Sequence, residues 1–181
     1  AGGLFFPERW AAEAARRAAA GVPPTVPFQT KPTLALELIR EVLAAGVSRA
    51  PVLGDEVYGV ASALRRGLRE LELEYFLNAG GDLLAWTGPV KTRRAKQYWD
   101  GADGQPAALS LAALSRTLKG QQWHAVAWRA ADGTKRRTRL GWVPVQVYSD
   151  LDRDSGDWPQ CWLVVDWPEG DENPYHLYLA W

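Results

Sequence analysis

Methionine is absent from the 181 residues, cysteine occurs once and histidine twice. The lone Cys161 excludes an internal disulfide framework and a cysteine-rich zinc site. His124 and His176 are too few for a histidine metal cluster, and each lies in a strand pattern that suits a structural or surface residue. No apolar run approaches the roughly 18 residues that span a bilayer, and no charged-then-apolar leader opens the chain. No Gly-x-Ser-x-Gly elbow and no Gly-x-x-x-x-Gly-Lys loop occurs, which removes the α/β-hydrolase and P-loop classes. With 47% hydrophobic and 23% charged residues, the composition is globular rather than disordered. The expectation is a soluble, intracellular protein of mixed structure, and the missing methionine fits a segment without its natural start.

The formal net charge is zero, yet the charge is unevenly placed. Residues 1–149 carry 20 basic and 13 acidic side chains, whereas 150–181 carry 1 and 8. Residues 86–149 alone hold 11 basic against 3 acidic groups, so a neutral isoelectric point conceals a local surface suited to polyanions.

The first half alternates helix and strand signals. Pro7 to Ala20, alanine- and arginine-rich and closed by Gly21, predicts a helix. Pro32 starts a second, in which Leu34, Leu38 and Val42 recur beside Ile39 and Leu43 until Gly46; its wide apolar face is expected to pack on a sheet and leave little in water. Val52 and Leu53 predict a short buried strand ending at Asp55-Glu56. Ala61 to Leu71 predicts a helix basic on one side through Arg65, Arg66 and Arg69, and Leu73 to Leu77 a further strand. Helix, strand, helix, strand with short connections implies a parallel pair of strands.

Beyond about residue 84 the pattern turns to β. Seven of the ten tryptophans lie between Trp123 and Trp181. Strands are predicted over Trp123–Trp128, Trp142–Tyr148, Cys161–Trp167 and Tyr175–Leu179, with Asp132-Gly133 as a hairpin turn. Leu109 to Leu118 predicts a short helix. The expected fold class is α/β, divided into a first unit at 1–83 and a tryptophan-rich, mainly antiparallel β unit at 84–181.

Asp55 is the best chemical candidate. A carboxylate at the end of a strand needs a metal, a partner or water, and α/β folds place their sites at the carboxyl ends of strands. Aspartate is equally a favoured helix N-cap, and the spacing leaves both roles open. Two basic clusters follow: Lys91, Arg93, Arg94 and Lys96, flanked by Trp86, Tyr98 and Trp99, and Lys135, Arg136, Arg137 and Arg139, flanked by Trp128 and Trp142. On flexible loops such charges neutralise phosphates while tryptophans stack on bases. They also suit a solvated hairpin over a tryptophan core. Cys161 reads as a small buried hydrophobe.

Phe28-Gln29-Thr30-Lys31-Pro32, the leucine-rich helix after it, and Asp55-Glu56-Val57-Tyr58-Gly59 together resemble the bacterial insertion-sequence DDE transposases that have an RNase H-like core interrupted by a β-rich insertion. Leu4-Phe5-Phe6-Pro7-Glu8-Arg9-Trp10 is similar to the stretch that follows the core's first hairpin in that group. Trp162 to Val165, Trp167 to Gly170 and Tyr175 to Leu179 resemble the strands that end the insertion.

The resemblance implies that 1–83 is a partial RNase H-like core, that 84–181 is the insertion, and that Asp55 is the second of three metal-binding carboxylates. The family's first aspartate would lie upstream of Leu4 and its final glutamate on a helix beyond Trp181. The implied cofactor is Mg²⁺ or Mn²⁺, held in full only by the complete enzyme. The implied partner is double-stranded DNA, at transposon ends and target, contacted by Lys91 to Lys96 and Lys135 to Arg139, with two copies acting across paired ends and no membrane. A location in the bacterial cytoplasm with the nucleoid follows. One carboxylate of three implies that the isolated chain is inactive as a nuclease. The alternative is a non-catalytic DNA- or protein-binding module on a transposase scaffold; the acidic stretch from Asp150 to Glu172 favours a protein partner.

Overall fold

Thr30 opens the clearest helix by accepting the Thr33 N–H on its side chain, with Pro32 in the first turn and Gly46, at φ +86°, beyond the end. The computed structural model describes residues 3–88, 90, 107–152 and 158–181. Its helices are α1 (Ala14–Ala19), α2 (Lys31–Ala44), α3 (Glu56–Gly59), α4 (Ser62–Glu70) and α5 (Leu111–Ser115). The strands are β1 (Val52–Gly54), β2 (Tyr75–Asn78), β3 (Leu84–Trp86), β4 (Leu109–Ser110), β5 (Trp123–Arg129), β6 (Lys135–Val147), β7 (Gln160–Pro168) and β8 (His176–Ala180).

Among the described residues these strands form one sheet in the order β1-β2-β8-β7-β6-β3-β4, with β5 paired to β6 off that path. β1 and β2 run parallel, as the alternation of helix and strand requires, and the other pairings are antiparallel. Leu77 of β2 stands opposite Leu179 of β8, so the last strand joins the early parallel pair to the antiparallel meander. The arrangement is mixed α/β, as expected.

One sheet face is covered. Tyr75, Leu77, Val145, Val147, Cys161, Leu163, Val165, Leu177 and Leu179 meet Leu64 and Leu68 of α4, and Leu111 and Leu114 of α5, in one buried cluster. Burial pushes the Cys161 thiol up to about 12, consistent with the small hydrophobe expected. The other face is largely open and aromatic. Phe76 stacks on Tyr178 at 4.5 Å and His124 lies flat on Trp142 at 4.2 Å, while Trp128 and Trp162 stand exposed.

Four expectations are corrected. The helix foreseen over Pro7 to Ala20 is two pieces, a 3-10 turn at Glu8–Trp10 and then α1. Phe6 is buried against Phe28 at 5.9 Å with Arg17 over its ring at 5.1 Å, and this packing bends a segment whose alanine content favours one helix. No residue of α2 is fully buried. α4 occupies the sheet, and α2 crosses behind it where Gly67 lets Leu36 approach, so only Leu36, Ile39 and Leu43 reach the core. β1 is not a buried strand: it ends the described sheet, and Leu53 is 74% exposed on the open face. Lys135 to Arg139 lie within strand β6 rather than on a loop, because every one of them has a ladder partner in β5, with β7 pairing Thr138 and Arg139 on the other side.

Candidate functional site

Asp55 follows the last residue of β1 with an extended backbone (φ −79°, ψ −175°). Its Oδ1 accepts the Val57 N–H at 3.0 Å, and its carbonyl accepts the N–H groups of Tyr58 at 3.1 Å and Gly59 at 2.9 Å. The cap role left open by the spacing is therefore present. It occupies one carboxylate oxygen, and the residue is exposed at the carboxyl end of a parallel strand.

Two neighbours set this turn in place. A Cβ at Gly59 would overlap the Asn78 carbonyl oxygen, so α3 rests directly on the end of β2 and only glycine fits. Arg65, 2% exposed on α4, donates to the Gly59 carbonyl and to Ser62 Oγ, the latter at 3.3 Å. Burial pushes the Arg65 guanidinium below its ordinary value, and nearby Tyr75 partly opposes that shift. Arg65 thus belongs to the interior, not to the basic helix side expected. Arg66 forms an ion pair with Asp152, which removes another charge from that side.

Beside the turn, Glu56, Asn78, Arg116, Asn173 and His176 line a polar cleft of about 290 Å³. His176 Nδ1 and Asn78 Nδ2 lie 3.3 Å apart, and Arg116 donates to Asn173 Oδ1 at 2.6 Å. Sequence reasoning left Arg116 and Asn173 unremarked. They lie 57 residues apart and meet only through the fold, so no local signal marks them.

The second basic cluster sits on the β5–β6 hairpin, whose Asp132-Gly133 turn forms as expected, with Gly133 at φ +83°. Lys135, Arg136 and Arg137 are exposed, and strand alternation puts Lys135 and Arg137 on one face and Arg136, opposite Trp128, on the other. Arg139 differs. Its guanidinium lies 5.4 Å from the Trp123 ring and 5.6 Å from the Trp167 ring, half-buried against the edge-to-face pair that these two rings make at 5.8 Å. Lys91, Arg93, Arg94 and Lys96 lie outside the described residues. The acidic C-terminal stretch is partly neutralised: Tyr148 donates to Asp150 at 2.6 Å, Thr138 to Asp166, and Asp152 pairs with Arg66.

An exposed carboxylate is the hard oxygen donor that Mg²⁺ or Mn²⁺ takes. Among the described residues, however, no group of three or more His, Cys, Asp or Glu side chains could hold a metal ion. Asp55 can contribute one ligand, and the described residues do not complete a site. No helix among them is long and apolar enough to cross a membrane.

An acidic residue at the end of a parallel pair within a mixed sheet defines the class of fold as α/β. The chain belongs to the DDE superfamily endonucleases: a family model of that description matches residues 1–137, which include Asp55, the first basic cluster and Lys135 to Arg137. The family acts on DNA and generally uses divalent metals. No curated protein matches the chain.

Proposed function

We propose that this chain is the central part of a bacterial insertion-sequence transposase, which cleaves transposon-end DNA and joins the freed 3′-hydroxyl to target DNA. The observation that carries the reading is Asp55, exposed at the end of β1 with one carboxylate oxygen held by its own turn. Within it, 1–83 is the partial core and 84–181 the insertion. A divalent ion, when bound, polarises a phosphate and activates an oxygen nucleophile. Asp55 supplies one carboxylate toward it, in a set that the described residues do not complete. Lys135, Arg136 and Arg137 lie against the DNA backbone, with Lys91, Arg93, Arg94 and Lys96 extending that track, and Arg139 presents its charge from a position packed on two indoles. Two copies act together across paired ends, at the nucleoid.

The test measures duplex affinity against salt, together with cleavage. The 181-residue chain binds duplex DNA with log affinity falling as log salt rises, and it does not cleave with Mg²⁺ or Mn²⁺. Each phosphate contact contributes a slope of about 0.9, so the Lys135, Arg136 and Arg137 to alanine triple variant flattens the slope by up to roughly 2.7. An unchanged slope removes the hairpin from the DNA interface. Metal-dependent cleavage that vanishes in Asp55→Ala refutes the inactivity of the isolated chain.

A further inference from the structure

β5 is an edge strand. It pairs with β6 residue for residue from Trp123↔Gly141 to Arg129↔Lys135, and among the described residues no strand lies on its other side. His124 to Arg129 are all exposed. Edge strands are ordinarily blunted by lysine, proline, a bulge or an inward-pointing charge. From Trp123 to Trp128 the strand has none of these, and its ladder to β6 is unbroken.

The ladder also shows which backbone groups are open. The Ala130 N–H donates to the Thr134 carbonyl at 2.9 Å, and the β5–β6 register continues that pairing. Antiparallel residues alternate between bonding one neighbour and the other. His124, Val126 and Trp128 therefore bond to β6, while Trp123, Ala125, Ala127 and Arg129 turn their N–H and C=O groups to the side on which no described strand lies.

We propose that this edge docks a second copy of the chain, by antiparallel β5–β5 pairing about a two-fold axis at Val126. The inference deepens the pairing of two copies proposed above and rests on it. Val126 is the midpoint of Trp123–Arg129, so this register engages the whole strand, and the residues that bond across it are those with open groups. Ala125 meets Ala127 of the second copy, Trp123 meets Arg129, His124 meets Trp128, and Val126 meets itself. No charge opposes a like charge. The small Ala125 and Ala127 let the strands close, and Trp128, exposed in the single chain, comes beside a His124 already stacked on Trp142. Arg129 over Trp123 adds a cation–π contact. The two basic β6 strands stand three strand spacings apart, about 14 Å, which exceeds the Debye length of about 8 Å at physiological salt. Their repulsion is thus largely screened, and a bound polyanion favours the dimer.

The register is tested by cross-linking. Val126 is a non-hydrogen-bonded pair with its own copy, where Cα atoms lie about 4.5 Å apart, within the reach of a disulfide. Val126→Cys forms a covalent dimer on mild oxidation. Arg129→Cys does not, because the two Arg129 positions lie at opposite ends of the seam. Native Cys161 is buried and contributes no cross-link. In sedimentation equilibrium, Ala127→Pro weakens the dimer at least tenfold with an unchanged circular dichroism spectrum, since its N–H faces the open side and the β6 ladder survives. A dimeric protein in which Val126→Cys does not link and Ala127→Pro has no effect overturns the β5 seam and leaves the pairing of copies standing. A protein that stays monomeric at every soluble concentration, with and without duplex DNA, overturns both.

Discussion

The guanidinium of Arg65 donates to the carbonyl of Gly59, and the N–H of Gly59 donates to the carbonyl of Asp55. A buried cation on α4 thereby fixes the end of the turn that begins at the candidate metal ligand. Arg65→Met leaves the Gly59 carbonyl without its donor and is expected to cost about 2–4 kcal/mol. Urea denaturation measures this, and a loss below about 0.5 kcal/mol is what a surface residue would show.

Gly59→Ala places a methyl group on the Asn78 carbonyl oxygen, so α3 must lift from β2. The expected loss exceeds about 3 kcal/mol, in the range of severe overpacking. Gly46→Ala is the contrast: its φ is positive, but nothing lies within 4 Å, and the cost is about 1 kcal/mol. Equal effects in thermal unfolding would show that α3 does not rest on β2.

Asp55 has a cap role and a proposed metal role, and the two separate by substitution. Asp55→Asn keeps a side-chain oxygen for the Val57 N–H, so stability stays within about 0.5 kcal/mol, whereas Asp55→Ala loses about 1 kcal/mol. Both remove the carboxylate. In a cleavage-competent transposase that contains this segment, both variants are inactive; an active Asp55→Asn would leave the residue with the cap role only.

Arg139 and Arg136 should part company in the same experiment. Arg139→Ala removes the cation packed on the Trp123 and Trp167 rings and is expected to lower stability by about 1–2 kcal/mol. Arg136→Ala, on an exposed position, stays within about 0.5 kcal/mol. Chemical denaturation of the two variants decides whether Arg139 is part of the fold.

Cys161 predicts a pH dependence on the alkaline side. Burial raises its thiol from 9.0 to about 12, so above pH 9 the unfolded chain releases a proton that the folded chain keeps. The stabilisation is complete below 9 and is lost as pH rises toward 12, with a limiting slope of about 1.4 kcal/mol per pH unit. Tyr75, also raised by burial, acts in the same direction from pH 10 upward. Urea midpoints at pH 8, 9 and 10 should fall, and Cys161→Ala should flatten the first part of the fall.

Local chemistry made much of this molecule readable. Pro32 and Gly46 bounded α2 because φ preferences act over a few residues. Asp132-Gly133 announced its hairpin for the same reason, and Asp55 stood out as a polar group at a strand end. The Arg116–Asn173 bond and the packing of Arg139 on Trp123 and Trp167 left no trace in spacing, since each joins segments whose approach depends on sheet order, and the Arg65–Gly59 bond, though it spans only six residues, depends on how α4 is set against α3. Helix propensity misled over Pro7 to Ala20 because the burial of Phe6 outweighed it.

By itself, then, the sequence determined most of the elements and the parallel pair, which rest on short-range steric and connection rules, and it marked Asp55 as the residue to watch, while the order of its motifs carried the family resemblance. Only the tertiary structure decided which surfaces face water: Leu53 and the tryptophans of the open sheet face, the half-exposed α2, the buried Arg65 and the bare edge of β5. Exposure is a property of neighbours, and in this sheet β2 meets its neighbour β8 across about a hundred residues, Leu77 opposite Leu179.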